Sequence, residues 1–219
     1  MSAASDAYLQ AIRTGNRRAA FGVLDDALDQ GAELSTLYLE VVQPAMREIG
    51  RLWQDNALTV AEEHLATAIT ESAMNRLFER VFVWRDTRTP TLLAACAAEE
   101  RHQLGLRMLC DLLEMEGWET TYLGASVPIE SLVGLVQARQ PDAVAISATI
   151  APHLPRVRDA IQAIRAAPLA RQPVIVVGGR AFHGDPGLAK RIGADLTATD
   201  AAEALLALDE RLRPGPRSG

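Results

Sequence analysis

Cysteine is nearly absent from this 219-residue chain. Its two thiols, Cys96 and Cys110, are too few and too differently placed for a disulfide framework, and they fit a reducing cytosol as inert buried groups. Lysine is rarer still: Lys190 stands alone among 22 basic residues, which with the abundant alanine reflects genome composition rather than function. No run approaches the ~20 apolar residues of a membrane span, and no basic stretch followed by an apolar one opens the chain as a secretory leader would. A soluble, cytoplasmic protein without membrane partners is the expectation. Positive charge is also short, 22 bases against 28 acids, and the net −6 argues against direct contact with nucleic acid. What remains is ordinary for a folded protein, 48% hydrophobic and 23% charged residues. The length suits one large domain or two small ones.

The hydrophobic period changes near residue 90. Before it, apolar residues recur at helical spacing: Tyr8, Leu9 and Ile12; Phe21, Leu24 and Leu28; Leu37, Val41, Met46, Ile49 and Trp53; Leu65, Ile69, Ala73, Leu77 and Val81. Four helices over residues 1–86 are predicted. Asn16, Ser35 and Thr59 are the candidate N-caps, and Thr59 with Glu62 forms a capping box. Gly15 and Gly31 mark helix ends, and Pro44 either kinks the third helix or marks its true start.

From residue 90 the pattern becomes strand, loop, helix. Strands are predicted at 92–96, 120–123, 143–147, 174–177 and 195–197, and helices at 103–115, 129–138, 154–166, 186–192 and 201–212. This alternation indicates a five-stranded parallel sheet with helices on both faces over residues 90–212. Residues 85–90 read as a linker and 213–219 as a loose tail. Trp84, Trp118 and the methionines Met46, Met74, Met108 and Met115 read as packing.

In such sheets ligands bind beyond the carboxyl ends of the strands. After the first strand comes Glu99-Glu100-Arg101-His102-Gln103-Leu104-Gly105. A carboxylate two residues before a histidine can accept from one ring nitrogen while the other binds a metal. One histidine cannot hold a bare ion, but it can supply an axial ligand to a metal already held by a macrocycle. After the third strand comes Ser147-Ala148-Thr149, and after the fourth Gly178-Gly179-Arg180-Ala181-Phe182. Taken singly, His102 reads as a polar helix-start residue, Ser147 and Thr149 as a strand end, Gly178-Gly179 as a turn, and His153 and His183 as loop or cap residues.

Together, Glu100-x-His102-x-x-Gly105, Ser147-x-Thr149 and Gly178-Gly179 resemble the Asp-x-His-x-x-Gly, Ser-x-Leu and Gly-Gly motifs of the cobalamin-binding Rossmann-like domain. The resemblance spans residues 90–212, and the four-helix segment is similar to the helical cap of the same family. It implies His102 as the lower axial ligand of cobalt, and Glu100, Arg101, Gln103, Gly105, Ser147, Thr149, Gly178, Gly179, Arg180 and Phe182 as cofactor-binding residues. Glu100 and Thr149 stand where many members have Asp and Leu.

Trp53, nine residues, then Glu63-His64 resembles the signature of CarH-type cobalamin photoreceptors. This implies that Trp53, Glu63 and His64 recognise the adenosyl group of adenosylcobalamin. A core tryptophan beside a solvated helix start is the other reading of the same residues. Where such photoreceptors can place a histidine after the tryptophan, this chain has Gln54. The expected function is a non-enzymatic adenosylcobalamin-dependent light sensor. Its partner would be a separate transcription regulator or signalling protein, with light-dependent homo-oligomerisation as a further expectation. A corrinoid-carrying methyltransferase subunit is the alternative.

Overall fold

Helix starts in the N-terminal region are set by side chains that satisfy the first backbone N–H groups. The computed structural model describes residues 2–82, 90–185 and 187–213, and the chain divides into two compact units, Met1–Val83 and Trp84–Gly219. Helix α1 (Ala3–Arg13) gives way to Gly15 at φ +70°, and Asn16 Oδ1 accepts the Ala19 N–H at 3.0 Å to begin α2 (Arg17–Asp29). The third pattern is a run of consecutive helical segments: α3 (Leu34–Thr36), a π-helical stretch (Leu37–Val42) and α4 (Gln43–Gln54). Ser35 is not its N-cap. Glu33 takes that position without a side-chain cap, and Ser35 lies one residue inside the helix. Pro44 sits in the first turn of α4, where its missing N–H is tolerated. The ladder shifts just ahead of it, Gln43 N–H bonding five residues back to Tyr38 O. The buried Ser5 hydroxyl donates to Val41 O at 3.1 Å and ties α1 to this break.

Helix α5 (Val60–Val81) opens on the expected capping box. Thr59 Oγ1 accepts the Glu62 N–H at 3.2 Å while the Glu62 carboxylate accepts the Thr59 N–H at 2.7 Å. Ile12, Leu24, Ile49, Met74 and Leu77 fill the interior between these helices. One polar chain crosses it: Tyr8 donates to Thr70 at 3.1 Å, and Thr70 donates to Met46 Sδ at 3.3 Å.

The second unit alternates β1 (Thr91–Cys96), α6 (Leu104–Met115), β2 (Glu119–Gly124), α7 (Ile129–Arg139), β3 (Ala143–Ser147), α8 (Leu154–Ala166), β4 (Val174–Gly178), α9 (Leu188–Arg191), β5 (Leu196–Ala198) and α10 (Ala201–Leu212). All neighbours pair in parallel, in the order β2-β1-β3-β4-β5. Central strands are apolar at successive positions because both faces are covered. Leu93, Val144, Ile146, Ile175 and Val177 pack with Leu132, Val136, Val157 and Ile161 of α7 and α8. The other face is covered by α6 and α10, which pack together. Trp118 is 4% exposed, as expected of a packing residue, and its indole N–H donates to the buried Asp209 of α10 at 2.7 Å. The predicted helix over 186–192 is shorter, covering Leu188–Arg191. Trp84, the linker residues 85–89, Pro186 and tail residues 214–219 lie outside the described residues. Among the described residues no helix is long and apolar enough to cross a membrane.

Two expectations follow. Burial pushes the Tyr8 hydroxyl up from 10 to about 12, with its bond to Thr70 opposing the shift. The unfolded chain releases this proton at the lower value, so the stabilisation is complete below it and is lost as pH rises to the folded value. Urea unfolding across that interval should show the loss, and Tyr8→Phe should remove a share of it on the order of 2 kcal/mol. Asp209→Ala strands the buried indole N–H of Trp118 and should lower stability by about 2 kcal/mol, read from tryptophan fluorescence in the same titration.

Candidate functional site

Parallel pairing brings the strand ends into one row. Cys96 is opposite Ser147, Ser147 opposite Gly178, and Gly178 opposite Ala198. The loops after β1, β3 and β4 therefore leave from one edge. Strand order reverses between β1 and β3, the position where crevices open in doubly wound sheets.

Glu100 occupies that position with its side chain fully buried. Oε1 accepts from His102 N–H at 2.9 Å and from His102 Nδ1 at 2.5 Å. Oε2 accepts from Thr149 N–H at 2.6 Å and from His153 Nδ1 at 2.9 Å. Burial pushes this carboxyl up, but the His102 ring, the Thr149 and His102 N–H groups and the His153 ring outweigh burial and hold it far below the usual carboxylate range. Glu100 is thus an anion, and both imidazoles donate through Nδ1. The His102 side chain is 49% exposed, with Nε2 as the nitrogen that Glu100 does not hold. Burial also pushes the Cys96 thiol up to about 12, so it is inert, and its Sγ lies 3.7 Å from His102 O.

The loop preceding Glu100 is braced from the loop after β2 and from α8. Glu99 has φ +71° and Ser126 φ +52°, conformations that cost side-chain-bearing residues about 1 kcal/mol or more. Ser126 Oγ accepts the Glu99 N–H at 3.2 Å, Ser126 N–H donates to Glu100 O at 2.8 Å, and Arg156 of α8 pairs with Glu99 at 2.8 Å.

The other predicted residues separate into two groups. Gly179, at φ +98°, is required by the fold, because a Cβ there would meet Ala148 O at 2.3 Å. At Gly178 the contact is looser, a Cβ there meeting Ala198 O at 3.3 Å. Phe182 is 6% exposed within the hydrophobic core, Ser147 is 8% exposed at its strand end, and Gln103 accepts from the Tyr122 hydroxyl at 3.2 Å. Arg101 and Arg180 are exposed. Gly105 is also exposed, has no positive φ, and would have nothing within 4 Å of an added Cβ, so no contact within the chain requires glycine there.

In the helical unit, Trp53 near the end of α4 is 40% exposed and is not a core residue. Glu63 Oε2 lies 2.6 Å from His64 Nδ1, and Glu63 Oε1 accepts from Thr67 at 3.0 Å. The His64 side chain is 69% exposed. Glu63 and His64 thus form a hydrogen-bonded pair in the first turn of α5.

His153 and the Glu99–Arg156 pair were missed by the sequence reading. His153 touches Glu100 across 53 residues, and only knowledge that both loops leave one sheet edge could have linked them.

The donor set fits a metal whose equatorial positions are already filled. Among the described residues no group of three or more His, Cys, Asp or Glu side chains could hold an ion, whereas one oriented imidazole beside the open surface at Gly105 suits an axial ligand to a macrocyclic metal.

Residues 4–78 and 90–208 each match a B12 binding domain. The chain is 30% identical over 170 residues to the HTH-type transcriptional repressor CarH of Myxococcus xanthus, 78% of this chain and 55% of that protein, so it spans about half that relative's length. It is 23% identical to Dimethylamine corrinoid protein 2 of Methanosarcina acetivorans over 79% of this chain and 84% of that one. The structure of the Methanosarcina barkeri monomethylamine corrinoid protein superposes with a TM-score of 0.82 at 19% identity, covering 95% of this chain and 98% of that chain, which is a likeness of fold. The chain belongs to the B12 binding domain family and is a cobalamin-binding protein.

Proposed function

We propose that this protein is an adenosylcobalamin-dependent light sensor that acts on a partner protein. His102 is the lower axial ligand to cobalt through Nε2. Its bond to the buried, ionised Glu100 supports this role, since an acceptor on Nδ1 fixes the tautomer and raises ligand basicity. Gly105 and the small residues at the strand ends leave room for the cofactor.

The observation that carries the sensory reading is the exposed Trp53 together with the Glu63–His64 pair. An indole face packs on the apolar side of an adenosyl group while a carboxylate and an imidazole bond its polar edges. Bound adenosylcobalamin supplies a light-cleavable cobalt–carbon bond. Trp53, Glu63 and His64 would hold the adenosyl group, and without that contact Trp53 would bias the helical unit toward another conformational population. Similarity to the CarH repressor supports the same reading. The signal passes to a separate regulator or signalling protein, or through self-association, rather than through DNA contacts of this acidic chain.

A second reading, a corrinoid carrier for a methyltransferase, is favoured by the match along 84% of a dimethylamine corrinoid protein. A methyl group that must be handed to another protein has less use for an indole, a carboxylate and an imidazole around it.

Reconstitution with adenosylcobalamin in the dark, followed by visible spectra and size-exclusion elution before and after illumination, separates the two. Light should change both; a protein that binds only methylcobalamin, or ignores light, is no sensor. Trp53→Ala should reduce the preference for adenosyl- over methylcobalamin roughly tenfold while binding persists. His102→Ala should shift the bound spectrum to a water-ligated or base-off form, and an unaltered spectrum removes His102 from the ligand role.

A further inference from the structure

Among the described residues four other than glycine have a positive φ, and two of them, Glu99 and Ser126, meet beside the candidate site. Glu99 is the third residue of a turn that Glu100 N–H closes on Ala97 O at 2.9 Å. With φ +71° at Glu99 and none at Ala98, this is the turn class whose third position takes glycine or asparagine. A glutamate there resists the conformation it holds. Its carboxylate gains little in return, because the pair with Arg156 is exposed on both sides.

The turn is held from the loop after β2 by two bonds. Ser126 Oγ accepts the Glu99 N–H at 3.2 Å, and Ser126 N–H donates to Glu100 O at 2.8 Å. Only the first depends on a side chain. The residue that follows the strained one is Glu100, whose carboxylate accepts from the His102 ring and from the His102 N–H.

We propose that Ser126 is a positioning residue for cobalamin binding: its hydroxyl oxygen keeps Glu99 left-handed, so that the Glu100–His102 loop has its ligand-ready shape before the cofactor arrives. This rests on His102 being the lower axial ligand. Ser126 acts through the backbone of Glu99 and Glu100. Without that acceptor Glu99 is drawn toward its ordinary conformations, which a residue with a side chain prefers by about tenfold. Cobalamin then binds only the fraction that stays left-handed, and apparent affinity falls with that fraction. The donors to the Glu100 carboxylate oppose the relaxation, so the loss should lie between about threefold and tenfold.

Two substitutions at residue 99 separate positioning from support. Glu99→Ala removes the pair with Arg156 and keeps the strain, whereas Glu99→Gly removes both, since glycine adopts either sign of φ about equally. The test titrates wild type, Ser126→Ala, Ser126→Ala with Glu99→Ala, Ser126→Ala with Glu99→Gly, and His102→Ala with adenosylcobalamin in the dark. Visible spectra read affinity and histidine coordination, and urea unfolding of the cofactor-free proteins reads stability.

Ser126→Ala, alone or with Glu99→Ala, should bind about three- to tenfold more weakly and keep the histidine-bound spectrum at saturation. Adding Glu99→Gly instead should restore affinity to within about twofold of wild type, the fraction that glycine leaves left-handed. The urea midpoint should hold in Ser126→Ala, because the exposed bond that is lost is offset by the strain released. An affinity unchanged by Ser126→Ala, or one that Glu99→Gly fails to restore, overturns the proposal. So does a urea midpoint that falls in step with affinity, the mark of a structural prop. If His102→Ala keeps the wild-type spectrum and affinity, the ligand reading itself falls and takes this inference with it.

Discussion

An ionised carboxylate removed from water costs several kcal/mol unless its lone pairs are met by donors. Glu100 meets four, two on each oxygen, from its own loop and from the loop after β3. Most of the local architecture answers to this group. The donors converge only because β1 and β3 are hydrogen-bonded neighbours with Cys96 and Ser147 in register. Glu100 can turn inward only because Glu99 adopts a left-handed conformation, and Ser126 and Arg156 offset its strain. The same anion selects the Nδ1–H tautomer of His102 and leaves Nε2 as the ring nitrogen that Glu100 does not hold. One buried charge thus links strand order, loop strain and ligand chemistry.

A second constraint shapes the neighbouring loop. Ala148 N–H donates to Gly178 O at 3.0 Å and Ala148 O receives Ala181 N–H at 3.3 Å, so the chain after β4 folds tightly against the chain after β3. Only glycine fits at 179 under that carbonyl. The second glycine of the Gly-Gly motif therefore has a cause inside the fold as well as the role its resemblance implies. Phe182 follows the same logic: the tight turn directs its ring into the core beside Val177.

The fold was largely legible because its signals are local. Period changed at residue 90, caps at Asn16 and Thr59 announced their helices, and Gly15 and Gly31 took the positive φ expected at helix ends. Ser35 misled because a good capping residue is outcompeted when Glu33, two residues earlier, already holds the extended cap conformation. The π-helical stretch was foreshadowed only by Pro44, whose missing N–H announces a disturbed ladder without saying how the ladder adjusts. Within the site, Glu100 and His102 were legible at a separation of two residues. His153 was not, since its partner lies across two strands and a histidine before a helix carries no mark of a buried bond.

The same sheet-and-helix plan serves proteins with different work, so function rests on residues whose presence the fold does not explain. Gly179 and Phe182 fail that test because contacts within the chain account for them. Trp53, half-exposed His102, exposed His64 and the open Gly105 pass it. An exposed indole gives up favourable burial, and a glycine in a helix costs about 0.5–1 kcal/mol relative to alanine. Trp53 and His64 lie in the helical unit, His102 and Gly105 just beyond β1 in the second. Trp53 and His64 are the part of the sequence that a plain carrier leaves unexplained, and they are the reason the sensory reading stands ahead of the carrier.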